Sequence, residues 1–269
     1  EMFFRFIEEK YGKEKVSEFA RGFVGAKNLE RNIKKTFGQS LSRFSDYFRW
    51  YLKEKLYDDF KKYNFPHELS EQITDHSEEG GFLNIGSQIS PDGSKIAFIS
   101  DRTGFTDIYI TYLGKRKTKK IISGQKNPSL ENLHLVRPGL SFSQDGKYLV
   151  FITSGGKSDI IFIYDTEKNR IVRKRELHEL DAGYEPSFSP DESKIVFTGL
   201  KDGFSDLYLY NIHTQEIISL TEDKFDDRNP VFINDTLIIF ISDRNYEDKF
   251  GNYAVFSYNP LKGNFKRLT

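Results

Sequence analysis

One phrase is written four times in the second two thirds of this sequence. Ser90-Pro91-Asp92-Gly93-Ser94-Lys95 runs into Ile96-Ala97-Phe98-Ile99-Ser100, and Ser143-Gln144-Asp145-Gly146-Lys147 runs into Tyr148-Leu149-Val150-Phe151-Ile152-Thr153. Ser189-Pro190-Asp191-Glu192-Ser193 leads to Lys194-Ile195-Val196-Phe197-Thr198, and a degraded copy is Asn234-Asp235-Thr236-Leu237-Ile238-Ile239-Phe240-Ile241-Ser242. The equivalent phenylalanines stand at positions 98, 151, 197 and 240, so the repeat recurs every 53, 46 and 43 residues. A unit of that length cannot hide a core alone and has to stack on its own copies.

Each copy divides into four strand-like pieces. In the third these are Pro186–Phe188, Lys194–Thr198, Asp206–Tyr210 and Glu216–Leu220. The links carry turn chemistry: Ser-Pro-Asp supplies a fixed φ and a side chain able to bond back to its own backbone, and Lys201-Asp202-Gly203 suits a tight hairpin. Ile96 and Phe98 point to one face of their strand, Ala97 and Ile99 to the other, and all four are apolar. Such a strand needs cover on both sides, whereas a sandwich strand would leave one face wet. Repeated antiparallel meanders covering each other in series make a β-propeller. Four copies close a ring only with steep inclination between the blades, so the repeat predicts an incomplete or small propeller.

The first part of the chain has helical spacing instead. Phe3, Phe4, Ile7 and Tyr11 form one stripe ending at Gly12, and Val16, Phe19, Ala20 and Phe23 form another. Asn28 is an expected N-cap for a helix over Leu29–Phe37 closed by Gly38, and Ser40 one for a longer helix carrying Leu41, Phe44, Phe48, Tyr51 and Leu52. The expected organisation is multidomain, α plus all-β: a short helical bundle over residues 1–65, a linker over 66–84, and four propeller blades over 85–269. The linker contains Pro66 and Gly80-Gly81, with a short helix near Glu68–Thr74.

Composition narrows the function classes. Forty basic residues face forty acidic ones, which argues against a dedicated nucleic-acid binder; the run Lys115–Lys120 reads as a solvated hairpin. Cysteine is absent, which removes thiolate metal sites and cysteine nucleophiles. No apolar run is long enough for a transmembrane helix. The chain opens on Glu1 inside a helical pattern and reads as a segment of a longer protein.

Catalytic motifs are approached and missed. His67-Glu68-Leu69-Ser70-Glu71 and His178-Glu179-Leu180-Asp181-Ala182 lack the second histidine of a zinc-hydrolase helix. No Gly-x-Ser-x-Gly occurs, and Ser40 is better used as a cap. Thr153-Ser154-Gly155-Gly156-Lys157-Ser158 has Phe151 where a phosphate loop needs glycine, and belongs to a hairpin. The recurrent aspartate before the Ile-Tyr strand (Asp107, Asp159, Asp206) is expected to bond backbone N–H groups. No catalytic, cofactor-binding or metal-binding residue is therefore expected within this chain.

The repeat resembles that of TolB-type propellers. Ser90-Pro91-Asp92-Gly93, Ser100-Asp101-Arg102-Thr103-Gly104 and Asp107-Ile108-Tyr109 match its pattern nearly throughout, and Ser242-Asp243-Arg244 keeps part of it. Thr36-Phe37-Gly38-Gln39-Ser40-Leu41 and Phe48-Arg49-Trp50-Tyr51-Leu52 look like the C-terminal helical tail of gluzincin (peptidase MA-like) metallopeptidase domains. This pairing implies a bacterial cell-envelope protein, periplasmic or associated with the outer membrane. It implies a non-catalytic scaffold that binds a protein or peptide. The alternative is an accessory, substrate-gating propeller of a zinc metallopeptidase with its catalytic residues upstream. Partner-binding loops are expected at Gln125–Pro138, holding His134 and Arg137, and at Asn245–Asn252, holding Tyr246, Asp248, Lys249 and Phe250. They would contact a protein partner or the rest of the same polypeptide.

Overall fold

The computed structural model describes residues 2–23, 28–60, 69–124, 133–135, 137–245 and 250–269. Two compact units result, Glu1–Gln72 and Ile73–Thr269. The first includes the helices α1 (Met2–Tyr11), α2 (Lys13–Gly22), α3 (Leu29–Phe37) and α4 (Leu41–Phe60). Their stripes meet in an aromatic core of Phe6, Ile7, Phe19, Ile33, Phe44 and Tyr51. The expected caps form: Asn28 accepts from Arg31 N–H at 2.8 Å, Gly38 closes α3 at φ 68°, and Ser40 Oγ accepts from Arg43 N–H at 3.3 Å. Gly22 allows α2 to approach α3, since a Cβ there would fall 2.0 Å from Asn32 Oδ1. The buried Asn32 amide donates to Phe19 C=O at 2.9 Å.

A single turn, α5 (His76–Glu79), opens the second unit, capped by Asp75 and ended by Gly80. It lies beyond the stretch where a linker helix was expected. Within that stretch Leu69 is helical and residues 70–74 are not, and Glu68 lies outside the described residues; Asp75 bonds Ser77 N–H and sets the start of α5.

Four four-stranded antiparallel sheets follow, each a meander in chain order. Blade 1 is β1 (Asn84–Ile89), β2 (Lys95–Ser100), β3 (Asp107–Tyr112) and β4 (Lys117–Ser123). Blade 2 is β5 (Leu140–Phe142), β6 (Tyr148–Gly155), β7 (Ser158–Asp165) and β8 (Arg170–Glu176). Blade 3 is β9 (Ala182–Phe188), β10 (Lys194–Lys201), β11 (Phe204–Asn211) and β12 (Ile217–Ser219). Blade 4 is β13 (Asp227–Asn234), β14 (Leu237–Arg244), β15 (Phe250–Asn259) and β16 (Asn264–Arg267).

The four repeat phenylalanines play one role. Each sits opposite an aromatic ring on the next strand, Phe98 on Tyr109, Phe151 on Phe162, Phe197 on Tyr208 and Phe240 on Phe256, with centroids 5.5–5.8 Å apart. From blade 2 onward this aromatic face receives the aliphatic face of the preceding blade. Ala97 and Ile99 meet Phe151 and Phe162; Val150 and Ile152 meet Phe197 and Tyr208; Leu207 meets Phe240 and Phe256.

The turns explain the rest of the repeat. Ser90 Oγ donates to Asp92 at 2.5 Å and accepts from Lys95 N–H at 2.9 Å, and Ser143–Asp145 and Ser189–Asp191 repeat the arrangement. Bonds from Ser90 and Ser94 hold the Asp92 carboxyl far below its usual range. Burial works to raise that of Asp191, but bonds from Ser189 and Ser193 prevail and lower it to about 2. In the Ser-Asp-Arg phrase, Asp101 accepts from Phe82 and Leu83 N–H at 2.8 and 2.9 Å, and Asp243 accepts from Asp226 N–H at 2.9 Å. The arginine lies over the aromatic pair: Arg102 is 4.5 Å from the Tyr109 ring, and Arg244 lies 5.7 Å from that of Phe240.

Candidate functional site: the axial groove

The inner strands β1, β5, β9 and β13 converge on one groove. It encloses about 220 Å³ and is lined by residues 86–88, 138–141, 185–187 and 229–231, one segment from each blade. These segments coincide with irregularities in pairing. Strands β1, β9 and β13 each slip register there, and Gly86, Glu185 and Asn229 adopt left-handed backbone with φ of 61°, 54° and 51°. Such β-bulges bend a strand and free it from its neighbour. Pro186 and Pro230 follow two of them, where the missing N–H breaks no ladder bond. Gly139 is fixed by a close approach: a Cβ there would lie 2.5 Å from Glu185 Cα, so blade 2 meets blade 3 backbone to backbone.

Glu185 ties three blades together. Its carboxylate accepts from Arg137 Nε and Nη2 at 3.2 and 2.9 Å, from Thr198 Oγ1 at 3.0 Å, and from Asn229 N–H at 2.9 Å. Arg137 also lies 4.6 Å from the Tyr184 ring, and the His134 ring meets the same tyrosine edge-on at 4.8 Å. His134 Nε2 is 2.7 Å from Asp159 Oδ2. His134 and Arg137, read as loop residues free to meet a partner, are thus mostly buried and engaged with blades 2 and 3. Burial raises the Tyr184 hydroxyl above its ordinary range. Tyr246 and Lys249 lie outside the described residues, and Phe250 opens β15, its backbone paired with Arg244.

A second polar cluster lies between blades 3 and 4. Asp206, Asp223 and Asp227 bring carboxylate oxygens within 4.8 Å of one another, the one such group found among the described residues. These are the side chains best placed for a metal ion, but Arg244 already donates to Asp223 Oδ2 at 3.1 Å and to Asp227 Oδ2 at 2.6 Å. Burial pushes the Asp206 carboxyl up to about 6 and raises that of Asp227. The expected role of the recurrent aspartate appears in three blades: Asp107 accepts from Gly124 N–H at 3.1 Å, Asp159 from Gly183 at 2.8 Å and Asp206 from Asp223 at 3.3 Å. His178 is exposed and pairs with Glu176 at 2.9 Å. Residues 153–158 form the predicted hairpin, with Gly155 opposite Ser158.

Sequence reading missed Glu185, Asn229 and Gly139. A signal existed: Arg137-Pro138, Glu185-Pro186 and Asn229-Pro230 recur ahead of the anchor phrase, each a polar residue before proline. Among the described residues the groove lining offers hydroxyl, amide and backbone groups, with Glu185 as the one charged side chain. That set can orient a bound chain by hydrogen bonds; it places no histidine or lysine beside a serine hydroxyl.

No family model matches the chain, and no curated protein matches it. Solved structures do. TolB from Acinetobacter baumannii is 22% identical, with a TM-score of 0.54 over 70% of this chain and 43% of that one. A TolB-type protein from Agrobacterium tumefaciens is 18% identical, with a TM-score of 0.56 over 70% of this chain and 66% of that one. A puromycin hydrolase is 12% identical, with a TM-score of 0.53 over 75% of this chain and 30% of that one. The likeness establishes the β-propeller fold, and the chain spans less than half the length of the first of these proteins. No helix among the described residues is long and apolar enough to cross a membrane.

Proposed function

We propose that the propeller is a non-catalytic scaffold that holds an extended peptide or protein segment in its axial groove, as part of a bacterial cell-envelope protein. The observation that carries this is the groove itself. Four inner strands line it, three of them bulged and two of those carrying proline, and Glu185, the charged side chain among the described lining residues, is already fixed by Arg137, Thr198 and Asn229. A slot whose groups are held in place binds without first ordering them, which removes part of the usual cost of association. The groove is small and polar, and so suits a strand of peptide better than a large apolar ligand.

The test is to select binders from a library of displayed extended peptides and measure them against blocked variants. Val231→Trp and Gln88→Trp change exposed lining residues, so the fold should survive and binding should weaken roughly tenfold or more. Selected peptides that bind the blocked variants undiminished would remove the groove from the proposal.

The envelope location, and the assignment of residues 1–65 to a gluzincin tail, rest on the resemblance of the sequence and belong to the same proposal. So does the division at a linker over 66–84, which limited proteolysis should cut before any strand. The loop holding Tyr246, Lys249 and Phe250 is included as a rim contact; replacing Tyr246 and Phe250 by Ser should weaken partner binding while leaving the melting temperature in place.

A further inference from the structure

The charge balance of the whole chain conceals a division between blades. Residues 84–176, blades 1 and 2, hold sixteen basic and nine acidic side chains; residues 177–269 hold nine basic and sixteen acidic. Much of the positive excess sits at the outer edges of the first two blades. Lys117 and Lys119 are exposed on β4, beside Lys115 and Arg116 of the preceding turn, and Arg170 and Lys174 are exposed on β8. The two edges adjoin: Lys119 Nζ donates to Asn169 Oδ1 of blade 2 at 2.6 Å. Lys117 and Lys119 pair opposite Tyr112 and Ile110, so both project from the face of β4 that looks toward blade 2.

Among the described residues β4 is the last strand of its sheet and pairs with β3 alone. An outermost strand offers one row of backbone N–H and C=O groups to an incoming chain, and lysines along it repel strands that are neutral or basic. The same lysines attract a strand that carries carboxylates at alternate positions, because cross-strand neighbours of opposite charge stabilise an antiparallel pair. Blade 3 lacks this device: β12 is three residues long and carries no charge.

We propose that the outer edge of blade 1 binds an acidic, extended polypeptide segment, which adds as a fifth strand beside β4 with its carboxylates against Lys117 and Lys119. Arg170 and Lys174 of β8 extend the positive field on the side toward blade 2. This surface lies on the outer strands, away from the axial groove, and stands independently of the reading given to that groove.

The probe is a fluorescein-labelled ten-residue peptide of alternating Glu and Val, titrated into the full chain and followed by anisotropy. Three comparison ligands accompany it: the same peptide N-methylated at alternate residues, single-stranded oligothymidylate, and vesicles of phosphatidylcholine with phosphatidylglycerol. Binding of the unmethylated peptide should weaken as salt rises. It should fall roughly tenfold or more in Lys117→Glu/Lys119→Glu, which turns two cross-strand attractions into repulsions. N-methylation should abolish it, since strand addition needs the peptide N–H groups. A circular-dichroism melt verifies that the double variant is folded; if it is not, Lys117→Gln/Lys119→Gln takes its place, with a smaller loss expected. No binding, or equal binding of the methylated peptide, overturns the proposal. Oligothymidylate or vesicles binding as tightly as the peptide also overturn it, in favour of a general polyanion surface.

Discussion

Blades 3 and 4 have nearly the same strands and different surroundings. In β10 of blade 3, Ile195, Val196, Phe197 and Thr198 are all buried, two on each face. In β14 of blade 4 burial alternates: Ile238 and Phe240 are buried, while Ile239 and Ile241 are only partly covered. The difference lies in what stands on each side. Blade 3 is covered by blade 2 and by blade 4, whereas only the aromatic face of blade 4 joins the clusters shared with blade 3. On its other side Val231, Ile233 and Tyr253 are each about half exposed. An apolar strand therefore states what it can bury, and its neighbours determine what it does bury.

The largest test of this contrast is Phe197→Ala. Phe197 is fully buried between blades 2 and 3, and its loss should cost about 3–5 kcal/mol, read as a lowered urea midpoint. If the cost is below about 1 kcal/mol, the blade-to-blade core does not govern stability. A matched pair comes next. Val196 and Ile239 hold equivalent places, one before each repeat phenylalanine. Val196→Ala should cost about 2 kcal/mol and Ile239→Ala about half of that, although isoleucine loses more atoms, because buried area sets the cost. Equal costs would mean that the outer face of blade 4 is covered in solution.

The junction between these blades should also respond to pH. The folded Asp206 carboxyl titrates near 6, above its value of 3.8 in an exposed setting. The folded state therefore binds more protons than the unfolded state between those values, so this group favours folding at low pH and that contribution is lost as pH rises through about 6. Between pH 5 and 7.5 the wild-type chain should lose roughly 1–2 kcal/mol relative to Asp206→Asn, measured by paired denaturant melts. The lowered carboxyls of Asp92 and Asp191 act oppositely and at more acid pH, while the raised Asp227 acts in the same direction as Asp206 and is present in both proteins compared. Parallel pH curves for the two proteins would sink the assignment. The smallest effect is reserved for Ile233→Ser, on the open side of blade 4, which should shift stability by less than about 0.5 kcal/mol.

Much of this was legible in the sequence because the information is local. The Ser-Pro-Asp turns, the Asn28 and Gly38 caps and the Asp202-Gly203 hairpin each depend on a few neighbouring residues, and each forms where it was read. The repeat phenylalanines and their aromatic partners follow from period-two alternation, which fixes the face of a strand without knowledge of its neighbours. Local reading failed where a residue's partner is distant. His134 and Arg137 look like free loop side chains in the sequence. Arg137 becomes a tie because Glu185, forty-eight positions later, is brought against it.

The sequence by itself determined the helical unit, the four meanders, their turns and the order of the blades, since propensity, alternation and turn chemistry act over a few residues. The tertiary structure alone decided three further things. It decided that Glu185 joins three blades, that Asp206 shares its surroundings with Asp223 and Asp227, and that one face of blade 4 is left partly open. Those outcomes depend on which surfaces meet, and burial and carboxylate repulsion arise only once segments more than ten residues apart have been brought together.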